Sequence, residues 1–281
     1  MENENWSLII TPKRKLFDLQ IREVIRYRDL IFLFVKRDFI TQYKQTILGP
    51  LWYIINPIFA TVMYTFVFGN LANIGTDGIP HTLFYYSGTM LWTFFTGCFN
   101  DAAHVFSSNA YIFGKVYFPR LVSPISRVFS NMIRLSIQFI MLMSIFVYFI
   151  LNEAPVQFSW TMLYFPLIIF WLAAIGSGAG IIISSLTTKY RDLSLLVSFA
   201  LGLAMYATPI VYPLSEIPTN FSWLAYANPV CAPVELFRTL FFGAGSVDLS
   251  IILASLGITV LLVFFGLILF NQNEKNFIDV V

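Results

Sequence analysis

The chain has 281 residues, 58% of them hydrophobic and only 11% charged, with a net charge of +2 and a mean hydropathy of +0.74. A soluble fold of this size carries about 25% charged residues, so the composition excludes a soluble enzyme or binding module and points to an integral membrane protein. Two cysteines, Cys98 in an apolar stretch and Cys231 in a connection, exclude a disulfide framework, and nothing in the charge balance suggests a nucleic-acid partner.

Residues 1–50 read as a cytoplasmic N-terminal region. They are polar and basic with no early apolar core, so no cleavable signal peptide is expected. Ile21, Val24, Ile25, Ile31, Phe32, Val35 and Phe39 fall close to one face at helical spacing. The apolar run 30–35 is too short to span, so the segment is expected to be an amphipathic helix in the membrane interface, its cations near lipid headgroups. Arg28, Arg37 and Lys44 here, with Arg191 further on, are candidates for collecting an anionic, lipid-linked substrate at the cytoplasmic mouth. Gly49-Pro50 then breaks the helix, and Trp52 and Tyr53 stand at interfacial depth.

Six apolar stretches follow, at about 51–72, 82–106, 129–151, 161–187, 193–213 and 250–270. Each approaches the ~20 helical residues that cross ~30 Å of hydrocarbon. Sixteen of the seventeen Lys and Arg residues lie on one side of this ladder: nine in the N-terminal region, then Lys115, Arg120, Arg127, Arg134, Lys189, Arg191 and Lys275. The connections 73–81 and 152–160 hold none, and the fifth holds only Arg238. Basic residues mark the cytoplasmic side of short loops. An all-α integral membrane protein is therefore expected, with a six-span domain over 51–271, a cytoplasmic tail over 272–281 and both termini inside.

The second cytoplasmic connection, 107–128, is longer than a turn requires. A short helix at Asn109–Phe113, a break at Gly114 and the corner Phe118-Pro119-Arg120 are expected to present aromatic side chains to the cytosol. Such exposed rings beside single charges suit a docking surface for a protein partner, with Tyr111, Lys115, Tyr117, Phe118, Pro119 and Arg120 as its candidates.

Polar residues recur at membrane depth. Asp101 and His104 share a face near the end of span two, and Asn131, Arg134 and Gln138 share one near the start of span three. At ~1.5 Å per residue, Asp101 and Arg134 lie at matched depth on antiparallel helices, which predicts an ion pair beside the cytoplasmic mouth; the other reading has Arg134 snorkelling alone to the headgroups. Tyr85, Tyr86, Trp92 and Phe95 in span two are candidates to stack on sugar faces along a pathway, together with Asp101, Arg134 and Gln138.

The outer connection 214–248 contains Phe221–Phe242, apolar enough to enter the membrane but interrupted by Asn228-Pro229, Pro233, Glu235 and Arg238. A seventh span would place Lys275 outside. A re-entrant helical hairpin over about 221–242, between spans five and six, keeps the orientation count, since broken backbone is tolerated where protein or a cavity surrounds it. Asn228, Pro229, Glu235 and Arg238 are its candidates for an outer gate, and the segment is expected to act as a lid.

No enzyme site assembles. There is no H-E-x-x-H, no G-x-S-x-G and no metal-binding pattern, and the two histidines, His81 and His104, fall on opposite sides of the membrane. The absence of G-x-x-x-x-G-K-[ST] places any ATP hydrolysis in another subunit.

Several short stretches resemble those of the permease subunit of ABC-2-type exporters of cell-surface polysaccharides, the family that moves O-antigen, capsule and teichoic acid. They are Tyr27-Arg28-Asp29-Leu30, Arg37-Asp38, Tyr43–Trp52, Phe118-Pro119-Arg120, Lys189-Tyr190-Arg191-Asp192, and Asn228-Pro229 leading to Phe237-Arg238. The resemblance implies a homodimer of six-span subunits with two cytoplasmic ATPase subunits that bind ATP and Mg, the permease itself holding no cofactor. The cargo it implies is a lipid-pyrophosphate-linked glycan passing out between the permeases. Residues from Asn109 to about 121 would match a coupling helix, 17–45 the interface helix and 221–242 the outer re-entrant helices. A drug or small-lipid exporter of the same architecture, and a membrane-embedded glycan-synthesis enzyme using Asp101, His104 and Arg134, remain as alternatives.

Overall fold

The computed structural model describes residues 21–44, 46–113, 118–154, 156, 158–187, 192–245 and 247–278. Among the described residues all regular structure is helical. The order is α1 (Ile21–Arg26), α2 (Arg28–Tyr43), α3 (Trp52–Tyr64, continued by a π-helical stretch Thr65–Leu71), α4 (His81–Ala103), α5 (Val105–Phe113) and α6 (Val122–Leu151). Then come α7 (Phe165–Thr187), α8 (Leu193–Tyr206), α9 (Trp223–Ala227), α10 (Cys231–Phe242) and α11 (Leu249–Ile278).

Local chemistry sets several of these limits. A 3-10 turn, Trp160–Tyr164, leads into α7, and the Ser159 hydroxyl caps it by accepting from the Thr161 amide. Before α10, Asn228 closes the turn through Pro229, its Oδ1 accepting from the Val230 amide at 3.0 Å. Gly243, at φ +67°, ends α10 in the left-handed conformation that closes helices.

The interior is organised on α4. From Leu83 to Leu91 every residue of this helix is buried, enclosed by α3, α6 and α7. The contact with α7 is backbone-close because α7 presents Gly176 and Gly180 to it. A Cβ at 176 would stand 2.8 Å from the Phe95 carbonyl oxygen, and one at 180 would overlap the Phe99 carbonyl oxygen. Gly178 turns the other way, toward the backbone of Leu262 and Val263 in α11, where Gly266 faces it. Small residues four apart give helices this approach in a membrane, where no hydrophobic effect drives them together. Phenylalanines fill the outer half of the core: Phe139 stacks on Phe165 at 4.2 Å, and Phe237 on Phe241 at 4.1 Å.

Four helical stretches are long and apolar enough to cross a membrane: Gly49–Leu71, Val122–Leu151, Trp160–Thr187 and Leu249–Gln272. Of the six expected spans, two fall short on their own. α4 has the length, but four threonines, Ser87 and Asn100-Asp101 dilute its apolar character, which its central position accommodates. α8 is apolar but only 14 residues long, about 21 Å of helix, because turns at 207–212 replace the predicted continuation to 213.

Candidate functional site

α2 is helical as its spacing predicts, but its buried face is carried by Phe34 and Val35, while Phe32, Leu33 and Ile40 are exposed. That face lies on the start of α6 and the corner before it. Phe34 meets Phe118 edge-on at 5.7 Å, and Arg37 lies 4.6 Å over Phe34. Asp38 is held between Arg37 at 2.8 Å and Arg127 of α6 at 3.2 Å, its own side chain 7% exposed. Phe118, Pro119 and Arg120 are buried, and the Phe118 ring, expected to face the cytosol, is covered by α2. The sequence periodicity missed this because it assigns α2 a lipid face and never considers a protein one. α5 begins at Val105, earlier than the predicted Asn109, and includes Tyr111. Lys115, Tyr117 and Arg191 lie outside the described residues. Arg28 and Lys44 are exposed, Arg28 only 3.9 Å from its equally exposed neighbour Asp29, a pairing worth little in water.

A second cluster joins α2, α3, α4 and α6. Tyr53 donates through its hydroxyl to Gln42 Oε1 at 2.9 Å, Arg134 Nη2 donates to the same oxygen, and the Arg134 guanidinium lies 5.4 Å over the Tyr53 ring. Gln138 Nε2 donates to the Tyr53 carbonyl at 3.2 Å, and its own carbonyl accepts from the Tyr86 hydroxyl at 3.1 Å. Asp101 has a different partner: its Oδ2 accepts from Asn131 Nδ2 at 2.7 Å. The predicted ion pair between Asp101 and Arg134 is thus replaced by two hydrogen-bonded groups, one on each residue. Gly97 makes the first possible, since a Cβ there would stand 2.6 Å from Asn131 Oδ1. Tyr85, Tyr86, Trp92 and Phe95 are buried within the protomer, Tyr85 completely; Trp92 and Phe95 pack on each other at 5.1 Å.

A third cluster lies on α9 and α10. α9 and α10 are two short helices broken at Asn228-Pro229, as the prolines predict. Glu235 and Arg238 are both 1% exposed and pair at 3.3 Å. Arg238 also donates from Nη1 to the Pro209 carbonyl at 2.6 Å and from Nη2 to the Ile210 carbonyl at 3.0 Å, with its guanidinium 3.6 Å over the Phe84 ring. Asn228 Nδ2 donates to Thr208 Oγ1 at 2.8 Å, and Pro229 accepts from the Ser255 hydroxyl. A buried guanidinium keeps its charge only when paired and hydrogen-bonded, and the partners named here supply both. The i, i+3 spacing of the pair was legible in sequence; the carbonyl partners, almost thirty residues earlier, were not.

Among the described residues no three His, Cys, Asp or Glu side chains cluster as metal ligands would. The arrangement is one of helix-to-helix ties and buried polar joints, suited to transmitting movement.

Comparison with known proteins agrees with this architecture. The ABC-2 type transporter family matches residues 29–242. The chain is 29% identical over 255 residues to an O-antigen export system permease protein RfbA of Klebsiella pneumoniae, covering 90% of this chain and 95% of the relative. It is 25% identical over 262 residues to a protein of that name from Myxococcus xanthus, covering 92% and 98%. The family match takes in most of the chain, and the protein belongs to the ABC-2 type transporters: it is a multi-pass membrane subunit of a transport system.

Proposed function

We propose that this chain is the transmembrane subunit of an ATP-driven exporter of a lipid-linked cell-surface polysaccharide of the O-antigen type. The observation that carries the reading is the end-to-end similarity to O-antigen export permeases, which covers 95% or more of each relative and includes the two broken outer helices as well as the apolar spans.

In this reading α4 and α8 complete six crossings of the bacterial cytoplasmic (inner) membrane, with both termini on the basic, cytoplasmic side and α9–α10 re-entering from outside. A second copy of the chain forms the channel wall. Two ATPase subunits carry the ATP and Mg and dock at the connection from α5 to α6, whose corner at Phe118 is joined to α2 through Phe34 and Asp38. Arg28, Arg37, Lys44 and Arg191 supply positive charge where a diphosphate-linked lipid would be collected. Teichoic acid, capsule and small-lipid or drug export share this architecture and differ only in cargo.

The test is complementation. In a strain lacking its own O-antigen permease, this chain with its ATPase restores glycan to the cell surface, and the ATPase alone leaves lipid-linked glycan accumulating inside. Surface display unchanged by the chain, with the complex assembled, overturns the O-antigen assignment. Charge reversal at Lys115 in the restored strain is expected to leave ATP hydrolysis running while surface glycan falls; normal export would remove that surface from coupling.

A further inference from the structure

The outer segment between α8 and α11 reads in sequence as a lid, but it is built as a core element. Nine of the twelve residues of α10 are buried. Arg238 binds the two carbonyls of the turn that ends α8, at Pro209 and Ile210, while pairing with Glu235 and lying flat on Phe84 of α4. The fit leaves no slack on the α4 side: a Cβ at Gly88 would stand 3.0 Å from the Ile210 carbonyl oxygen and 3.1 Å from Arg238 Nη2. Further ties run from Asn228 to Thr208, from Pro229 to Ser255 of α11, and from Leu240 to Thr161, the last at 2.6 Å.

α8 itself is the opposite. None of its residues from Leu193 to Tyr206 is buried. An apolar groove of about 330 Å³ separates it from α7, lined by residues such as Phe99, Ile183, Val197 and Leu201. The helix is therefore gripped toward its outer end, where Leu201, Ala204 and Met205 pack on the core, and open along its first two turns. Swinging α10 outward would carry Glu235 along with Arg238 but break both bonds to the Pro209 and Ile210 carbonyls and the contact with Phe84, leaving those carbonyls unpaired.

We propose that Arg238 is a positioning residue that pins the outer end of α8, so that α9 and α10 form a fixed abutment and the open first turns of α8 are the part that moves. The outer segment is then no lid. The outward sense of this motion rests on the export reading; the pin does not.

The chain's own thiols provide the probe. Cys98 and Cys231 are both free and buried, and Cys231 opens α10. In a Cys98→Ala chain assembled with its ATPase in membranes, Cys231 is the sole thiol. Its labelling by a membrane-impermeant maleimide from the outer side is measured at rest and during ATP turnover, against full labelling in detergent denaturant. The pin predicts the same slow rate in both states. Arg238→Lys keeps the charge beside Glu235 but cannot serve both carbonyls. It is expected to label at least about tenfold faster, the factor that losing one charge-assisted hydrogen bond carries, with export per molecule reduced at unchanged protein level. If Arg238→Lys does not accumulate, Gly88→Ala, which crowds Ile210 and Arg238, is read in the same way. Labelling that accelerates during turnover in the chain with Arg238 intact would restore the lid, and unchanged labelling and export in the variant would also overturn the pin. Surface glycan from the Cys98→Ala chain is scored separately. Its absence would count against the export reading, whereas the comparison of Arg238 with its variant needs no cargo.

Discussion

The Asn131 amide nitrogen serves two oxygens, Asp101 Oδ2 at 2.7 Å and the Arg127 carbonyl at 3.0 Å, and thereby fixes where the Asp101 charge points. Arg134, three residues on, turns instead to Gln42 and the Tyr53 ring. Helical spacing put Asp101 and Arg134 at equal depth, and that was legible; the partner each would choose depended on Gly97 admitting Asn131 and on α2 bringing Gln42 across, which are tertiary facts. Exchanging the two charges, Asp101→Arg with Arg134→Asp, will not restore export lost in either single variant, because neither new side chain meets a partner of the right kind. Asp101→Asn, which still accepts from Asn131, is expected to retain most export. Surface glycan per permease molecule is the measurement, and rescue by the exchange would reinstate a direct pair.

Helices pack here where small residues let backbones meet, and α7 carries the clearest case. Gly176 and Gly180 face α4 while Gly178 faces α11, so one helix is seated between two others by three glycines. Gly180→Leu would force α7 off α4; overpacking of this kind costs about 1–3 kcal/mol or more. The variant is expected to melt earlier in detergent and to accumulate poorly, whereas Gly257→Leu, whose Cβ meets nothing within 4 Å, should melt like the parent. Equal melting of the two would remove the α4–α7 contact as a determinant of the fold. The apolar stretches and the broken outer segment were readable because length, hydropathy and proline act locally. The glycine seats were visible as letters, but which neighbour each serves depends on helix order in space. That the rings of Tyr85, Tyr86, Trp92 and Phe95 are buried within the protomer was not legible for a related reason: tyrosine and tryptophan read alike in sequence whether or not a neighbouring helix covers them.

For the whole molecule, the all-helical build and the break at Asn228-Pro229 were in the sequence. Pairing between distant elements was not: Phe34 on Phe118, Asp38 on Arg127 and Arg238 on Pro209 each join segments whose separation along the chain carries no periodic signal. These joints tie α2 to α6 and the corner before it, and, separately, α10 to the turn after α8. In ABC-2 transporters the ATPase is generally a separate subunit, and the proposed function requires one to accompany this chain. The most direct measurement is affinity purification of the tagged chain in mild detergent, with mass spectrometry of what accompanies it. A stoichiometric ABC-type ATPase is the predicted result; its absence, under conditions that preserve a known transporter complex, would contradict the account and turn attention to Asp101, His104 and Arg134 as reactive groups.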